Sequence, residues 1–394
     1  MGDIAILTKG SGISKDQRSA TGTPCILYGE LYTTYKSEVI DYVVSKTDIS
    51  DKNLVRSCAN DIIIPSSGET AIDISTARCV LSPDVLLGGD LNIIRLKDGD
   101  GRFFSYQLNG VRKYDIAKIA QGVSVVHLYG ESIKGLTVSF PSNKEQQKIS
   151  TLLSLIDERI ATQNKLIEDL KKLKSAIIEI EYTPNNKYTS HIGDVIEQIS
   201  KRNKNNTIQN VLSVSNRQGF IKQSDQFENR NVASEDTSNY KIVEQNDFAF
   251  NPARINVGSI ARLTTFEKGI VSPMYICFRT QENVAPEYID FFFESKHFYC
   301  EIQKRLEGSV RQCLSFEGLC NIPFSLPSLE MQQRIGKRLF TLGQKIKTET
   351  DLLELLNKQK QYLLRQMFIC TTRQFREYMN GCNFMSRHLY LRIW

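Results

Sequence analysis

The chain repeats itself. Pro141-Ser142 followed by Gln146-Gln147-Lys148-Ile149 recurs 186 positions later as Pro327-Ser328 and Gln332-Gln333-Arg334-Ile335. The same shift carries Asn60-Asp61 onto Asn246-Asp247, Gly122 onto Gly308 and Leu128 onto Leu314. Self-similarity at this period means that one architecture is used twice, so the second half must fold much as the first does. A length of 394 residues fits that division, because it exceeds what one hydrophobic core usually organises.

Downstream of each proline the shift preserves a helical pattern. Ile149, Leu153, Ile156, Ile160, Ile167, Leu170 and Ile177 match Ile335, Leu339, Leu342, Ile346, Leu353, Leu356 and Leu363. Steps of three and four over about five turns are the seam of a coiled coil. The polar interruptions coincide too, Gln163 with Glu349 and Lys174 with Lys360. At about 1.5 Å per residue, roughly 38 residues make a helix near 57 Å long, more than one small domain can cover, so the pattern favours two helices that pair over two that bury separately.

Each helix follows about 140 residues of short β-prone runs. Asp61 to Ile64, Leu91 to Leu96 and Arg102 to Tyr106 lie in the first half, with Asp100-Gly101 predicted as a hairpin turn between the last two. Val211 to Val214, Asp247 to Phe250, Ser259 to Leu263 and Met274 to Phe278 lie in the second. The expected class is α+β, with two mixed α/β domains at 1–140 and 183–326, long helices at 141–182 and 327–370, and a tail at 371–394.

Composition narrows the function. No apolar run approaches the roughly 18 residues a membrane span needs, and Met1 to Gly10 lacks the features of a signal peptide, so a cytoplasmic protein is expected. Nine cysteines without a C-x-x-C pair predict buried thiols, and His127, His191, His297 and His388 are too scattered to predict a metal site. The net charge of +6 resides in the second helix and the tail, while 1–140 has 15 basic against 16 acidic residues and 183–326 has 16 against 16. Bulk charge therefore does not establish a nucleic-acid binder.

Catalytic motifs fail on inspection. Lys9-Gly10-Ser11-Gly12 lacks the Gly-Lys-Ser/Thr of a phosphate loop, and Asp98-Gly99-Asp100-Gly101 lacks the later ligands of a calcium loop. Pro286-Glu287 and Glu294-Ser295-Lys296 suggest nuclease carboxylates, but Glu287 to Arg305 reads as one amphipathic helix with Tyr288, Phe291, Phe292, Phe298 and Ile302 buried. Asn251-Pro252-Ala253-Arg254 lacks the second proline and aromatic of an amino-methyltransferase. No catalytic residues are expected.

The paired segments Phe140-Pro141-Ser142-Asn143-Lys144-Glu145-Gln146-Gln147-Lys148-Ile149 and Leu326-Pro327-Ser328-Leu329-Glu330-Met331-Gln332-Gln333-Arg334-Ile335 resemble the specificity (S) subunits of Type I restriction-modification systems. Gly2-Asp3-Ile4, Gly193-Asp194-Val195 and Gly308-Ser309-Val310-Arg311 add to the resemblance, which covers about residues 1 to 370. It implies a target-recognition domain in each half, held apart by an antiparallel coiled coil in a pseudo-twofold arrangement. Each domain would read one half of a split double-stranded DNA sequence. Two methylation (M) subunits and two restriction (R) subunits would assemble on the scaffold, and S-adenosylmethionine, ATP and Mg2+ would belong to those partners, with no cofactor or metal in this chain. Pro141, Glu145, Gln146, Gln147, Pro327, Gln332 and Gln333 would mark the helix starts and subunit contacts.

The sequence departs from the family pattern in three places. Met331 stands where Glu145 has its counterpart, the residues before Gly193 (Tyr188 to Ile192) have no equivalent before Gly2, suggesting a short start, and the tail matches nothing in the family. Phosphate contacts need Lys, Arg or hydroxyl donors, and base reading needs planar Arg, Asn or Gln groups. On that basis the DNA-binding candidates are Lys9, Ser11, Lys15, Arg18, Tyr32, Tyr35, Lys36, Ser66, Ser67 and Thr70, then Lys201, Arg202, Lys204, Arg217, Arg254, Asn256, Arg311 and Gln312. Competing expectations are a self-contained methyltransferase or nuclease, and a coiled-coil scaffold that does not read DNA.

Overall fold

The computed structural model describes residues 1–50, 53–183, 188–216, 218–226, 236–308 and 312–368. It divides into two compact units, Met1–Asn164 with the chain from Asp351 on, and Lys165–Thr350. Each unit therefore holds one mixed α/β segment plus part of both long helices, a division that differs from the segment boundaries drawn on sequence. The helices span Asn143–Tyr182 and Leu329–Gln366, 40 and 38 residues.

In the first unit a five-stranded sheet runs Ala5–Lys9, Leu91–Leu96, Asp61–Pro65, Arg78–Val80, Val39–Ile40, antiparallel until the last pair. In the second a four-stranded antiparallel sheet runs Ile196–Ile199, Ile276–Thr280, Phe248–Phe250, Ile260–Arg262. The repeat is thus topological, since the strand that follows Asn-Asp occupies the third place in both. A further sheet in the second unit joins Gly219–Lys222, Val211–Ser215, Lys268–Val271 and Lys241–Glu244.

The Asn-Asp pair has the same work in each copy. Asn60 and Asn246 take positive φ of 78° and 72°, a region that asparagine tolerates better than most residues. The following aspartate caps the turn it has just made: Asp61 accepts from the Cys58 amide and Asp247 from the Glu244 amide, each at 2.7 Å. Both carboxylates then take a two-nitrogen arginine from the neighbouring strand, Arg95 at 2.9 and 2.7 Å and Arg279 at 3.0 and 3.1 Å.

Two predicted elements are corrected. Arg102 to Tyr106 is not a strand but part of the helix Gly101–Asn109, because Asp100 caps it by accepting the Arg102 amide at 2.9 Å. Glu287 to Arg305 is two helices, Pro286–Phe292 and Lys296–Arg305, broken where Ser295 caps the second. The five residues named for its apolar stripe are all buried.

Each position of the expected seam on both helices, including Gln163, Lys174, Glu349 and Lys360, is buried or half-buried. In the first unit Leu153 shares a core with Leu364, Ile62, Phe103 and Tyr106. In the second Ile177 shares one with Ile335, Leu339, Phe278 and Tyr288. The start of one helix thus packs with the end of the other, an antiparallel pairing. Among the described residues no helix is long and apolar enough to cross a membrane.

Candidate nucleic-acid interface

The most regular feature of each unit is an edge made of two loops. In the first, Ser66 leaves the strand Asp61–Pro65 and its carbonyl accepts the Leu128 amide at 2.9 Å. In the second, Pro252 leaves the strand Phe248–Phe250 and its carbonyl accepts the Leu314 amide at 3.1 Å. Ser66 and Pro252 are 186 apart, as are Leu128 and Leu314, so the same backbone bond is made twice. Each loop therefore lies against a tight hairpin, closed between Gln121 and His127 in the first unit (2.9 and 2.7 Å) and between Glu307 and Cys313 in the second (2.9 and 2.8 Å).

Glycine opens both hairpins for a steric reason. Gly122 and Gly308 have φ of 123° and 105°, and a Cβ on Gly122 would stand 2.1 Å from the Val125 carbonyl oxygen. The first tip holds out Val123, 96% exposed, and Val125, 53% exposed. Beside it His127 pairs with Ser67 and stacks on the exposed Tyr129. In the second unit exposed Val257 and Met274 flank the loop, and Asn251 Nδ2 reaches Met274 Sδ at 3.9 Å.

The sequence candidates fall into distinct places. Ser66, Ser67 and Thr70 lie on the first edge, and Arg254, Asn256 and the exposed Gln312 on the second. Ser66 and Ser67 are themselves buried, and Thr70 caps the helix Ala71–Ile74, so they supply loop geometry more than surface. Tyr35 is corrected: it is buried, its hydroxyl accepts the Val44 amide at 3.2 Å, and burial pushes its phenol up to about 12. Tyr32 is half-buried, and Ser11 is occupied by the Val55 amide at 2.7 Å. Lys9, Lys15, Arg18 and Lys36 are exposed, with Arg18 turned 3.7 Å from Glu30 and Lys36 donating to the Thr33 carbonyl. Arg217 and Arg311 lie outside the described residues.

Lys201, Arg202 and Lys204 converge. With Lys268, Asn205 and Thr207 they line an open groove of about 830 Å³ in the second unit. Lys268 is paired with Glu244 at 2.9 Å, Lys201 acts on the same carboxylate by charge, and Arg202 donates to Asn239 at 2.8 Å. A neutral segment has thus gathered cations on one surface.

The helix starts act as clamps within each unit. Gln146 is buried; its Oε1 accepts the Asp100 amide at 3.0 Å and its Nε2 donates to the Pro141 carbonyl at 2.9 Å. Gln332 does the same with the Ala285 amide and the Pro327 carbonyl, each at 2.9 Å. Asp100 and Ala285 each precede a helix of their own unit, so the glutamine ties the long helix to the start of another. Asp100 is also held by Ser150 at 2.7 Å; burial pushes its carboxyl up, but bonds from Arg102 and Ser150 outweigh that and hold it below the usual range. The exposed second glutamines, Gln147 and Gln333, and Glu145, paired with Lys148 at 2.7 Å, remain on the surface.

Among the described residues no group of three His, Cys, Asp or Glu is placed to hold a metal ion. Glu287 and Glu294, the suspected nuclease carboxylates, are paired with Arg262 at 2.7 Å and Lys174 at 2.6 Å. Cys25, Cys79 and Cys277 are buried as expected, but Cys58 and Cys300 are exposed, and Cys313 and Cys320 half-buried; Cys370 and Cys382 lie outside the described residues.

The profile of the Type I restriction modification DNA specificity domain matches residues 1–172 and again 184–358. The chain belongs to this family. It is a specificity subunit and not a catalytic one. A relative, the MjaVIII type I restriction enzyme specificity subunit of Methanocaldococcus jannaschii, is 23% identical over 356 residues, covering 82% of this chain and 80% of the relative. The crystal structure of the S subunit from M. genitalium matches this specificity subunit with a TM-score of 0.61 at 18% identity, over 94% and 95% of the two chains. A chain from a study of type I complex assembly and conformational transition matches at 0.51 with 13% identity, over 92% and 95%.

Sequence reasoning did not single out the exposed Val123 and Val125, because it sought polar groups that pair with base edges. The signal was available in the Gly122–Gly308 equivalence, which marked the hairpin without saying what its tip was for.

Proposed function

We propose that the two edges each read one half of a split double-stranded DNA target, and that the long helices set the number of base pairs between the halves. The observation that carries this reading is the twice-made bond from Leu128 to Ser66 and from Leu314 to Pro252, which builds one kind of loop platform in each unit. The side chains on it differ, exposed Val123 and Val125 in the first unit and exposed Arg254 and Gln312 in the second, so the half-sites differ. Exposed valines suit a thymine methyl or an opened base step, whereas Arg254 and Gln312 suit base edges in the major groove. The groove at Lys201, Arg202 and Lys204 takes phosphate and so positions the second unit without selecting sequence. A spacer of about 57 Å allows readers up to roughly 17 base pairs apart at about 3.4 Å per step.

Chemistry comes from partners in this reading. Two methylation subunits and two restriction subunits assemble on the chain, and S-adenosylmethionine, ATP and Mg2+ are theirs. The test is to replace residues 66–70 and 121–127 together with those of a homologous specificity subunit, co-express the chimera with the methylation subunit and map methylated sites. The expected result is a motif changed in one half only; a change in both halves, or in neither, contradicts the proposal.

A further inference from the structure

One lysine interrupts the apolar seam at the same place on each helix, Lys174 on the first and Lys360 on the second. Their surroundings are not the same. Lys360 is buried in the first unit, its Nζ 2.5 Å from Glu38 Oε2 and 2.5 Å from Asp157 Oδ1. Asp157, on the other long helix, also accepts from Tyr106 Oη at 2.8 Å and Ser37 Oγ at 2.9 Å, and the Tyr106 ring faces the ammonium at 5.8 Å. Glu38 is fixed in turn by its carbonyl, which accepts the Cys79 amide and Ser105 Oγ, both at 2.8 Å. The junction therefore joins three bodies at once: the mixed α/β segment through Ser37, Glu38 and Tyr106, the first helix through Asp157, and the second through Lys360.

We propose that Lys360 is a positioning residue that fixes the first DNA-reading segment on the helix pair and so holds the spacer between half-sites to one length. Buried ion pairs add little net stability, because desolvation offsets their attraction, but their short directional contacts tolerate few geometries. Lys174 sits in a more open setting: it pairs with Glu294, whose side chain is 47% exposed, lies over Phe291 at 5.1 Å, and acts on Asp290 by charge without a hydrogen bond to it. At the positions 186 beyond Asp157 and Glu38 stand Gly343 and Ser224, so neither acid is repeated and this arrangement of Lys360 between two hydrogen-bonded acids is made in the first half only among the described residues. The inference rests on the split-target reading above.

The experiment co-expresses the full chain with its methylation subunit and maps methylated sites for the wild type, Lys174→Met and the triple variant Lys360→Met, Glu38→Gln, Asp157→Asn. The triple variant removes the three charges of the cage together, and Arg78, the buried cation that both acids also face, keeps its bonds to the Leu31, Ala77 and Tyr35 carbonyls. The expected result is unchanged bases in both half-sites, with motifs one base pair longer or shorter gaining at least about tenfold in methylation, a loss of about 1.4 kcal/mol in discrimination between spacer lengths. Lys174→Met should keep the single spacer. A folded triple variant confined to the original spacer overturns the proposal, and so does failure of that variant to fold, since a purely geometric junction is dispensable for folding. A wild-type motif that is not split at all overturns the split-target reading first, before the variants are compared.

Discussion

Replacing Gln146 by alanine should destabilise the first unit by about 2–3 kcal/mol. The side chain is 1% exposed, and its removal strands the buried Asp100 amide and the part-buried Pro141 carbonyl, which it now satisfies at 3.0 and 2.9 Å. An unsatisfied buried group costs about 1–3 kcal/mol, with the lower end appropriate to the carbonyl that water can partly reach. Gln332→Ala should cost the second unit a similar amount, since it loses bonds of 2.9 Å to Ala285 and Pro327. The neighbouring substitutions Gln147→Ala and Gln333→Ala, on exposed side chains, should stay within about 0.5 kcal/mol of the wild type. Urea titration followed by far-UV circular dichroism reads the difference: with a slope near 2–3 kcal/mol per molar, the midpoint falls by about 1 M for the first glutamine of each pair. Equal effects of the first and second glutamines, or no effect of Gln146→Ala, would refute the clamp.

Other consequences follow from the same geometry. Asp290, beside Arg262 at 3.2 Å, is pushed up to about 6 by burial against the pull of that arginine. A carboxyl raised on folding holds a proton that the unfolded chain has released, so stability should fall by about 1–2 kcal/mol as pH rises from 4 to 6, after discounting a side chain 31% exposed, and then level off. Asp290→Asn should flatten that fall in unfolding measured across the range. Replacing Lys201, Arg202 and Lys204 together by alanine should reduce the slope of log affinity against log salt by about 2–3, equally for target and non-target DNA, because each lost phosphate contact removes about 0.9. Gly122→Ala, whose Cβ would meet the Val125 oxygen at 2.1 Å, should distort the first hairpin and abolish recognition of one half-site while the other half of the methylated motif survives.

Much of this architecture was legible because repetition is visible without any structure. The 186-residue shift located the start of each helix to within two residues, and the residues named for the seam are buried or half-buried. Asn60-Asp61 and Asn246-Asp247 also announced themselves, though only their geometry explains why: a left-handed asparagine followed by a capping aspartate that an arginine then holds. Errors arose where one residue decides between structures that share a composition. Arg102 to Tyr106 is β-prone, yet the cap at Asp100 starts a helix there, and Ser295 divides what periodicity joins. The recognition surface was least legible, since a loop's side chains carry no period. Tyr35 qualifies by chemistry but is buried, whereas Val123, on the edge proposed to read DNA, offers no polar group and is almost fully exposed.

The central claim is that two similar platforms address two separate stretches of DNA. Its most direct measurement is the methylation map of a host expressing the wild-type chain with its methylation subunit. The account predicts two short blocks of specified bases separated by a run of unspecified bases of one fixed length. One continuous motif, or no methylation from a stable complex of the two subunits, would contradict it.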